Sequence, residues 1–354
     1  MRIAQIAPLI ERVPPKKYGG TERVIYTLTE ELVRRGHDVT LFASGDSVTS
    51  ARLVPSHPKP LREARIANLY GPNMWTLLNI GRAYAMQDEF DVIHDHTMPL
   101  SLPTANISRT PVIGTNHGSL TETGSDVSLG AFLRKPSIVS ISRSQMKLTP
   151  HLNHAGVVYN GLKMEQYPFG KTHKGYLLYV GRICRDKGTH AAVQTALSLN
   201  LPLIIAAKVD TVDQAYFRTH VKPYLSDTIR WIGEVEEQER NALMSEAMCF
   251  LHPVTWDEPF GLTLIEAMAC GAPVVAFRRG SIPEIIVHGT TGYVVDGVAG
   301  MVEAVKNVAT IDRSTCRTYA LQNFNERTMT DGYERVYRAV RARSYISVRT
   351  PVTR

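Results

Sequence analysis

Short apolar runs alternate along this chain with longer stretches in which apolar positions recur every three or four residues. RIAQIAP (2–8) is a run of the first kind and reads as a buried strand. TERVIYTLTEELVRRG (21–36) is of the second kind: Val24, Leu28, Leu32 and Val33 share one face, and Gly36 stands where a helix C-cap is expected. HDVTLFA (37–43) is again strand-like, followed by DVIHD (91–95), PVIGTNH (111–117), SIVSIS (137–142) and GVVYN (156–160). Strand and helix in alternation predict a parallel, doubly wound sheet.

A second series begins near residue 175. YLLYVGR (176–182), LPLIIAA (201–207), TIRWIG (228–233), MCFLHP (248–253) and APVVAF (272–277) read as strands, and KGTHAAVQTALSL (187–199) as a helix. The polar, Gly- and Pro-containing stretch NGLKMEQYPFGKTHKG (160–175) separates the two series and reads as a linker. The expected architecture is α/β: a first Rossmann-like domain over 1–160, a second over 161–325, and a C-terminal helix with a tail over 326–354. NERTMTDGYERVYRAVRARS (325–344) supplies that amphipathic helix, and the tail is expected to fray.

A length of 354 residues suits two domains of ordinary size, each able to bury a core without staples. Cys184, Cys249, Cys270 and Cys316 are widely spaced and form no C-x-x-C pair, which argues against a disulfide framework or a zinc site and for a reducing, cytoplasmic setting. The first apolar run is too short for a signal peptide, and no run approaches a membrane span. The net charge of +7 fits solubility, and it also fits anionic partners such as phosphorylated substrates. No basic stripe interleaved with aromatics points to nucleic acid. Arg335, Arg338, Arg341 and Arg343 leave a peripheral contact with an anionic membrane open, a solvated helix face being the plainer reading.

In an open parallel sheet, ligands bind beyond the carboxyl ends of the strands. The candidate motifs fall there. KKYGGTERV (16–24) follows the first strand and opens the first helix; Gly19 and Gly20 let a ligand approach the backbone, and the helix start favours a phosphate, the alternative being a plain tight turn. GRICRDKG (181–188) places Arg182 at a strand end and Lys187 near the next helix start, a pair suited to neutralising a diphosphate where no D-x-D metal motif exists, or else a solvated turn. His117 ends GTNHG (114–118), positioned to meet a sugar hydroxyl unless it is structural. His94 and His96 in VIHDHT (92–97) are two apart and are expected to face the same way on the rim of an acceptor pocket; a metal pair would lack a third ligand.

DEPFGLTLIEAMACG (257–271) raises the sharpest chemical question, because Glu258 and Glu266 stand on either side of a helix start broken by Pro259 and Gly261. A buried carboxylate needs a partner. Vicinal hydroxyls of a sugar or ribose suit acids that stay ionised; pairing of Glu266 within its own helix is the alternative.

With these segments assembled, the chain resembles family 4 of the retaining nucleotide-sugar glycosyltransferases, which have the GT-B fold of two Rossmann-like doubly wound domains facing a central cleft. Glu258 to Glu266 matches the family's E-x7-E signature, GRICRDKG its G-R-x(4)-K-G motif, YGGTERV its N-terminal glycine loop and VVYNGL its domain-junction segment. The resemblance implies that Arg182 and Lys187 bind the donor diphosphate, with Gly19 and Gly20 approaching it. It further implies that Glu266 binds the ribose and Glu258 the donor sugar, with Phe260, Gly261 and Leu262 nearby and His117 close to the transferred sugar. Gly233, Glu234 and Val235 would hold the base through backbone groups, the first domain would serve the acceptor, and the final helix would cross back onto it. The stretch between His117 and Pro136 matches nothing in the family pattern, which leaves the acceptor open: a hydroxyl of a sugar, a lipid or a small molecule.

The implied reaction moves a hexosyl group from a nucleoside diphosphate sugar to that hydroxyl with retention, by same-face attack, the nucleotide sugar being a co-substrate and neither a metal nor an organic cofactor being required. UDP-glucose is the expected donor and GDP-mannose the next. Two other readings are a nucleotide-sugar epimerase of the same fold and a non-catalytic nucleotide-sugar-binding protein.

Overall fold

The computed structural model describes residues 1–16, 19–64, 71–119 and 136–349. It divides into two compact units: Met1–Leu162 together with Glu326–Arg354, and Lys163–Asn325.

Among the described residues the first unit holds a seven-stranded parallel sheet. Its strands are β1 (Arg2–Ile6), β2 (Asp38–Ala43), β3 (Arg52–Pro55), β4 (Val92–Asp95), β5 (Val112–Thr115), β6 (Ser137–Ser140) and β7 (His154–Val157), in the order β3-β2-β1-β4-β5-β6-β7. Ile3, Ala4, Ile6, Leu41, Phe42, Ile93, Ile113, Ile138 and Val139 are buried, as expected of strands covered on both faces. The helix Gly20–Arg34 puts Val24, Ile25, Leu28 and Leu32 into the interior. The final helix, Glu326–Arg349, belongs to this unit and packs on β5, β7 and the helix Gly20–Arg34. Its inward face carries Tyr333 and Tyr337, both fully buried, with Val336 and Val340 beside them. Arg35 to Asp331 at 2.6 Å and His37 to Glu334 at 2.9 Å fix its outer edge. Two of its arginines are engaged within the unit, Arg338 with Glu334 at 2.8 Å and Arg341 with Asp91 at 3.5 Å.

The second unit holds six parallel strands: β8 (Leu177–Arg182), β9 (Leu203–Lys208), β10 (Ile229–Gly233), β11 (Cys249–His252), β12 (Val274–Phe277) and β13 (Gly292–Val295), in the order β10-β9-β8-β11-β12-β13. Leu177, Tyr179, Val193, Leu203, Ile205, Leu251, Val275 and Met301 form its core. In both sheets the order reverses beside the first strand, so the loops after β1 and β4, and after β8 and β11, flank the topological switch points where such sheets bind ligands.

Four sequence expectations need correction. Strands β3 and β13 are additional to those read from the pattern. The strand expected at 156–160 lies at His154–Val157. The stretch from Lys163 to Gly175, read as a linker, is packed into the second unit: Met164 and Tyr167 are buried, Gly170 N–H donates to the Cys270 carbonyl at 3.1 Å, and Arg313 Nε donates to the Gly170 carbonyl at 2.6 Å. A Cβ on Gly170 would lie 1.8 Å from the Ser245 carbonyl oxygen, so that packing needs glycine. All four cysteines are buried free thiols. No described helix is long and apolar enough to cross a membrane. The expectation for the stretch between His117 and Pro136 falls on residues 120–135, which lie outside the described residues, as do Lys17, Tyr18 and the tail beyond residue 349.

Candidate functional site

The loops that follow β8 and β11 are tied to each other. Thr255 N–H donates to the Asp186 carbonyl at 2.8 Å. Gly188 has a φ of +68°, and a Cβ there would lie 1.9 Å from the Pro253 carbonyl oxygen, so only glycine lets the two backbones meet. The Tyr179 hydroxyl donates to the Arg182 carbonyl at 2.9 Å and approaches the Lys187 carbonyl at 3.4 Å, closing the first loop at its base.

This junction brings Lys187 and Glu258 together. Lys187 Nζ donates to Glu258 Oε2 at 2.6 Å, and Trp256 Nε1–H donates to the same oxygen at 2.9 Å. The ammonium also lies 4.7 Å from the Trp256 ring centre, a cation–π arrangement. His252, at the end of β11, holds Nε2 3.9 Å from Glu258 Oε2, and that nitrogen is buried with no hydrogen-bond partner among the described residues. Burial pushes the His252 ring down to about 4; the Glu258 charge opposes that shift and Lys187 adds to it. Gly280 backs the acid, since a Cβ on it would lie 2.4 Å from the Glu258 carbonyl oxygen.

Arg182 stands apart from this cluster. Its guanidinium pairs with Asp210 at 3.6 Å and Asp213 at 3.5 Å, from the segment after β9, and Lys208 shares Asp210 at 3.1 Å. Glu266 sits in the helix Leu262–Ala269 and is 1 % exposed. Its Oε1 accepts from Tyr167 Oη at 3.0 Å and from Arg240 Nη2 at 3.2 Å. Both partners come from outside its helix, which corrects the in-helix alternative. Phe260 is buried, Gly261 caps that helix at φ +84°, and Leu262 begins it. Gly233 (φ +81°), exposed Glu234 and half-buried Val235 follow edge strand β10, and the helix Glu237–Glu246 after them supplies Arg240. The two acids therefore draw on separate partners, Glu258 on the junction of β8 and β11, Glu266 on the β10 side.

In the first unit, Gly19 and Gly20 lie at the start of the helix Gly20–Arg34, and its first turn carries a buried acid, Glu22. Burial raises the Glu22 carboxyl to about 7, against the pull of the Glu22 and Glu11 backbone N–H groups. Near pH 7 such a carboxyl is about half protonated, which eases its repulsion of an anion nearby. His117 follows β5 and is half-buried; burial pushes its ring down to about 4. Its loop is braced by Gln145, whose Nε2 donates to the carbonyls of Asn116 at 3.0 Å and Gly118 at 2.9 Å. His117 Nε2 meets His96 Nδ1 at 3.0 Å.

His94 and His96 do share a direction, with ring centres 4.0 Å apart, but the acceptor-rim expectation for them is corrected. His94 is fully buried; Nδ1 meets Tyr337 Oη at 2.8 Å and Nε2 meets Thr115 Oγ1 at 2.8 Å. His96 is 5 % exposed, and its Nε2 meets Gln5 Oε1 at 2.8 Å. All four ring nitrogens are engaged inside the unit, beneath the final helix. Among the described residues no three His, Cys, Asp or Glu side chains are grouped to hold a metal ion.

Several residues that shape these clusters carried no role in the sequence reading: Trp256, His252, Tyr167, Arg240, Gln5 and Tyr337. Trp256 and His252 lie in the same loop motif as Glu258. Gln5 carries a visible signal, a polar side chain in the middle of a strand otherwise apolar on both sides.

Comparison with known proteins identifies the family. The family described as Glycosyltransferase Family 4 matches residues 18–160, and the one described as Glycosyl transferases group 1 matches residues 165–317. A glycogen synthase of Mycobacterium tuberculosis is 26% identical over 347 residues, covering 83% of this chain and 83% of its own. A phosphatidyl-myo-inositol mannosyltransferase of Propionibacterium freudenreichii is 24% identical over 344 residues, covering 90% and 86%. Among solved structures, Anabaena HepE in complex with UDP and glucose superposes with a TM-score of 0.73 at 18% identity, over 96% of this chain and 100% of that one.

Proposed function

Because the chain belongs to family 4 of the GT-B glycosyltransferases, we propose that it transfers a hexosyl group from UDP-glucose to an acceptor hydroxyl with retention and without a metal ion. The observation that carries this reading is the junction of the loops after β8 and β11, where Lys187, Trp256 and Glu258 converge at a topological switch point. UDP-glucose is favoured over GDP-mannose by the likeness to a protein solved with UDP and glucose, and the similarity to a mannosyltransferase keeps GDP-mannose as the alternative donor.

In this reading Lys187 and Arg182 face the diphosphate, Glu258 holds hydroxyls of the sugar and Glu266 those of the ribose. The backbone at Gly233 to Val235 reads the base. Phe260 to Leu262 present N–H groups at a helix start, and Gly19 and Gly20 give the diphosphate close backbone approach. His117 hydrogen-bonds a sugar hydroxyl. The acceptor oxygen bonds to the anomeric carbon on the face from which the diphosphate leaves. The bond from that carbon to the phosphate oxygen breaks with its electron pair going to the oxygen, and this oxygen takes the acceptor's proton. Charge building on the diphosphate is met by fixed cations, the largest lever such a site has.

A titration of the thermal midpoint against nucleotide sugars tests the donor. At 100 times its Kd, UDP-glucose should stabilise by about 2.7 kcal/mol, and GDP-mannose by less at the same concentration. Anomeric proton coupling in the product tests retention, and turnover in EDTA tests metal independence. No shift with any nucleotide sugar would overturn donor binding; activity lost to EDTA and restored by magnesium would overturn the metal-free mechanism. Isomerised free sugar nucleotide formed without acceptor would identify an epimerase instead.

A further inference from the structure

The polar side chains beneath the final helix form one hydrogen-bonded chain, and the orientation of a single amide sets its direction. Gln5, fully buried in β1, donates from Nε2 to Tyr337 Oη at 3.1 Å. Its Oε1 can only accept, so His96 Nε2, 2.8 Å away, carries a hydrogen. A neutral imidazole holds one ring hydrogen, so His96 Nδ1 is a bare acceptor. His117 Nε2, 3.0 Å from that acceptor, must then be the protonated nitrogen of its ring.

The other branch follows from the same amide. Tyr337 Oη, having accepted from Gln5, gives its own hydrogen to His94 Nδ1 at 2.8 Å. His94 Nε2–H then donates to Thr115 Oγ1 at 2.8 Å, and the Thr115 hydroxyl reaches Tyr333 Oη at 3.2 Å. Each hydrogen has one acceptor, with no two donors facing each other. Turning the Gln5 amide over would reverse every bond and move the His117 hydrogen to Nδ1, so the direction of the whole chain rests on that one group. All three rings are held neutral: burial drives His94 and His96 well below the usual histidine range and His117 to about 4.

We propose that Gln5, acting through His96, is a positioning residue that fixes His117 as the Nε2–H tautomer and so presents His117 Nδ1 as a bare hydrogen-bond acceptor. Among the described residues Nδ1 has no partner. A bare nitrogen receives a hydroxyl O–H and is repelled by an anionic oxygen, so His117 selects a sugar hydroxyl over a phosphate. The tautomer follows from the first unit alone; that the hydroxyl belongs to a donor sugar rests on the proposed function.

Long-range proton–nitrogen correlation spectra of the uniformly labelled full chain test this, with His117→Asn identifying the His117 signals. The expected result is Nε2 protonated and Nδ1 unprotonated at His117 near pH 7, moving to a mixture of tautomers in Gln5→Met or in Tyr337→Phe. A protonated Nδ1 in the wild type, which needs no variant to fold, would overturn the inference, as would His117 signals indifferent to both substitutions. In Gln5→Met the KM for UDP-glucose should rise roughly fivefold, the scale of one neutral hydrogen bond, with kcat changing less. A shifted tautomer with unchanged KM would remove the sugar contact assigned to His117 while leaving the role of Gln5 intact.

Discussion

Lys187→Met deletes the ammonium and leaves Glu258, 8 % exposed, with the Trp256 N–H as its remaining close donor and His252 at 3.9 Å. Breaking a fully buried ion pair from one side costs about 3–5 kcal/mol. Lys187 is 26 % exposed on its side chain, so water already screens part of the pair, and we place the cost at about 2 kcal/mol. For a unit of this size that is a fall of roughly 4–8 °C in the thermal midpoint. Glu258→Gln, which leaves a lysine free to turn toward solvent, should cost about 1 kcal/mol. Combining the two relieves the orphaned acid, so the double variant should be more stable than the sum of the singles by about 1 kcal/mol or more. Urea unfolding at pH 7, with unchanged m-values, gives the cycle. Strictly additive effects would refute the pairing as an energetic unit. The same Lys187→Met protein should show a His252 ring titrating above about 4, because one of the influences lowering it is gone. Independently, turnover of UDP-glucose should fall on the order of a hundredfold; near-normal turnover would remove the assigned role of Lys187.

Three further outcomes follow. Tyr167→Phe should weaken nucleotide binding several-fold and cost about 1 kcal/mol, because Glu266 Oε1 keeps only Arg240 of the two donors described; calorimetric affinities unchanged from wild type would separate Glu266 from the ribose. Gly188→Ala should abolish donor-induced stabilisation and lower the thermal midpoint, since its Cβ meets the Pro253 carbonyl and its φ is +68°; an unaltered donor response would show that the junction of the two loops is dispensable. Glu22→Gln should gain on wild type as pH rises. With the folded carboxyl at about 7 and the unfolded one at 4.5, the native state holds the extra proton in that window, so wild-type stability falls as pH climbs through it. The neutral variant escapes this, and the difference should grow from about 1 kcal/mol at pH 5 toward an order of 3 kcal/mol at pH 8; a difference in denaturant midpoint that stays the same at both pH values would contradict it.

Much of this fold was legible because buried parallel strands are apolar on both faces and stand out as continuous runs. The central strands of both sheets, from RIAQI (2–6) to VVAF (274–277), fall where those runs lie. The strands β3 and β13 escaped because they lie at the edges of their sheets, where partly exposed positions break the continuous apolar run. The motif residues of the second unit were legible because glycines and prolines mark the loops after β8 and β11. Which charges pair was not: the Asp210 and Asp213 partners of Arg182 lie on another loop, and the Arg240 partner of Glu266 on another helix. His94 was misplaced for a related reason. Strand alternation gives it the direction of His96, but what covers that face is a helix more than two hundred residues downstream, and nothing near VIHDHT announces it.

The placement of the final helix orders events during synthesis. Tyr333 and Tyr337 complete the interior of the unit that begins at Met1, so that unit cannot close when its first 162 residues have left the ribosome. Lys163–Asn325 is complete earlier, and folding of the second unit should precede that of the first, reversing the N-terminal-first order usual in multidomain chains. Until the last helix emerges, Gln5 and His94 wait without their tyrosine partner.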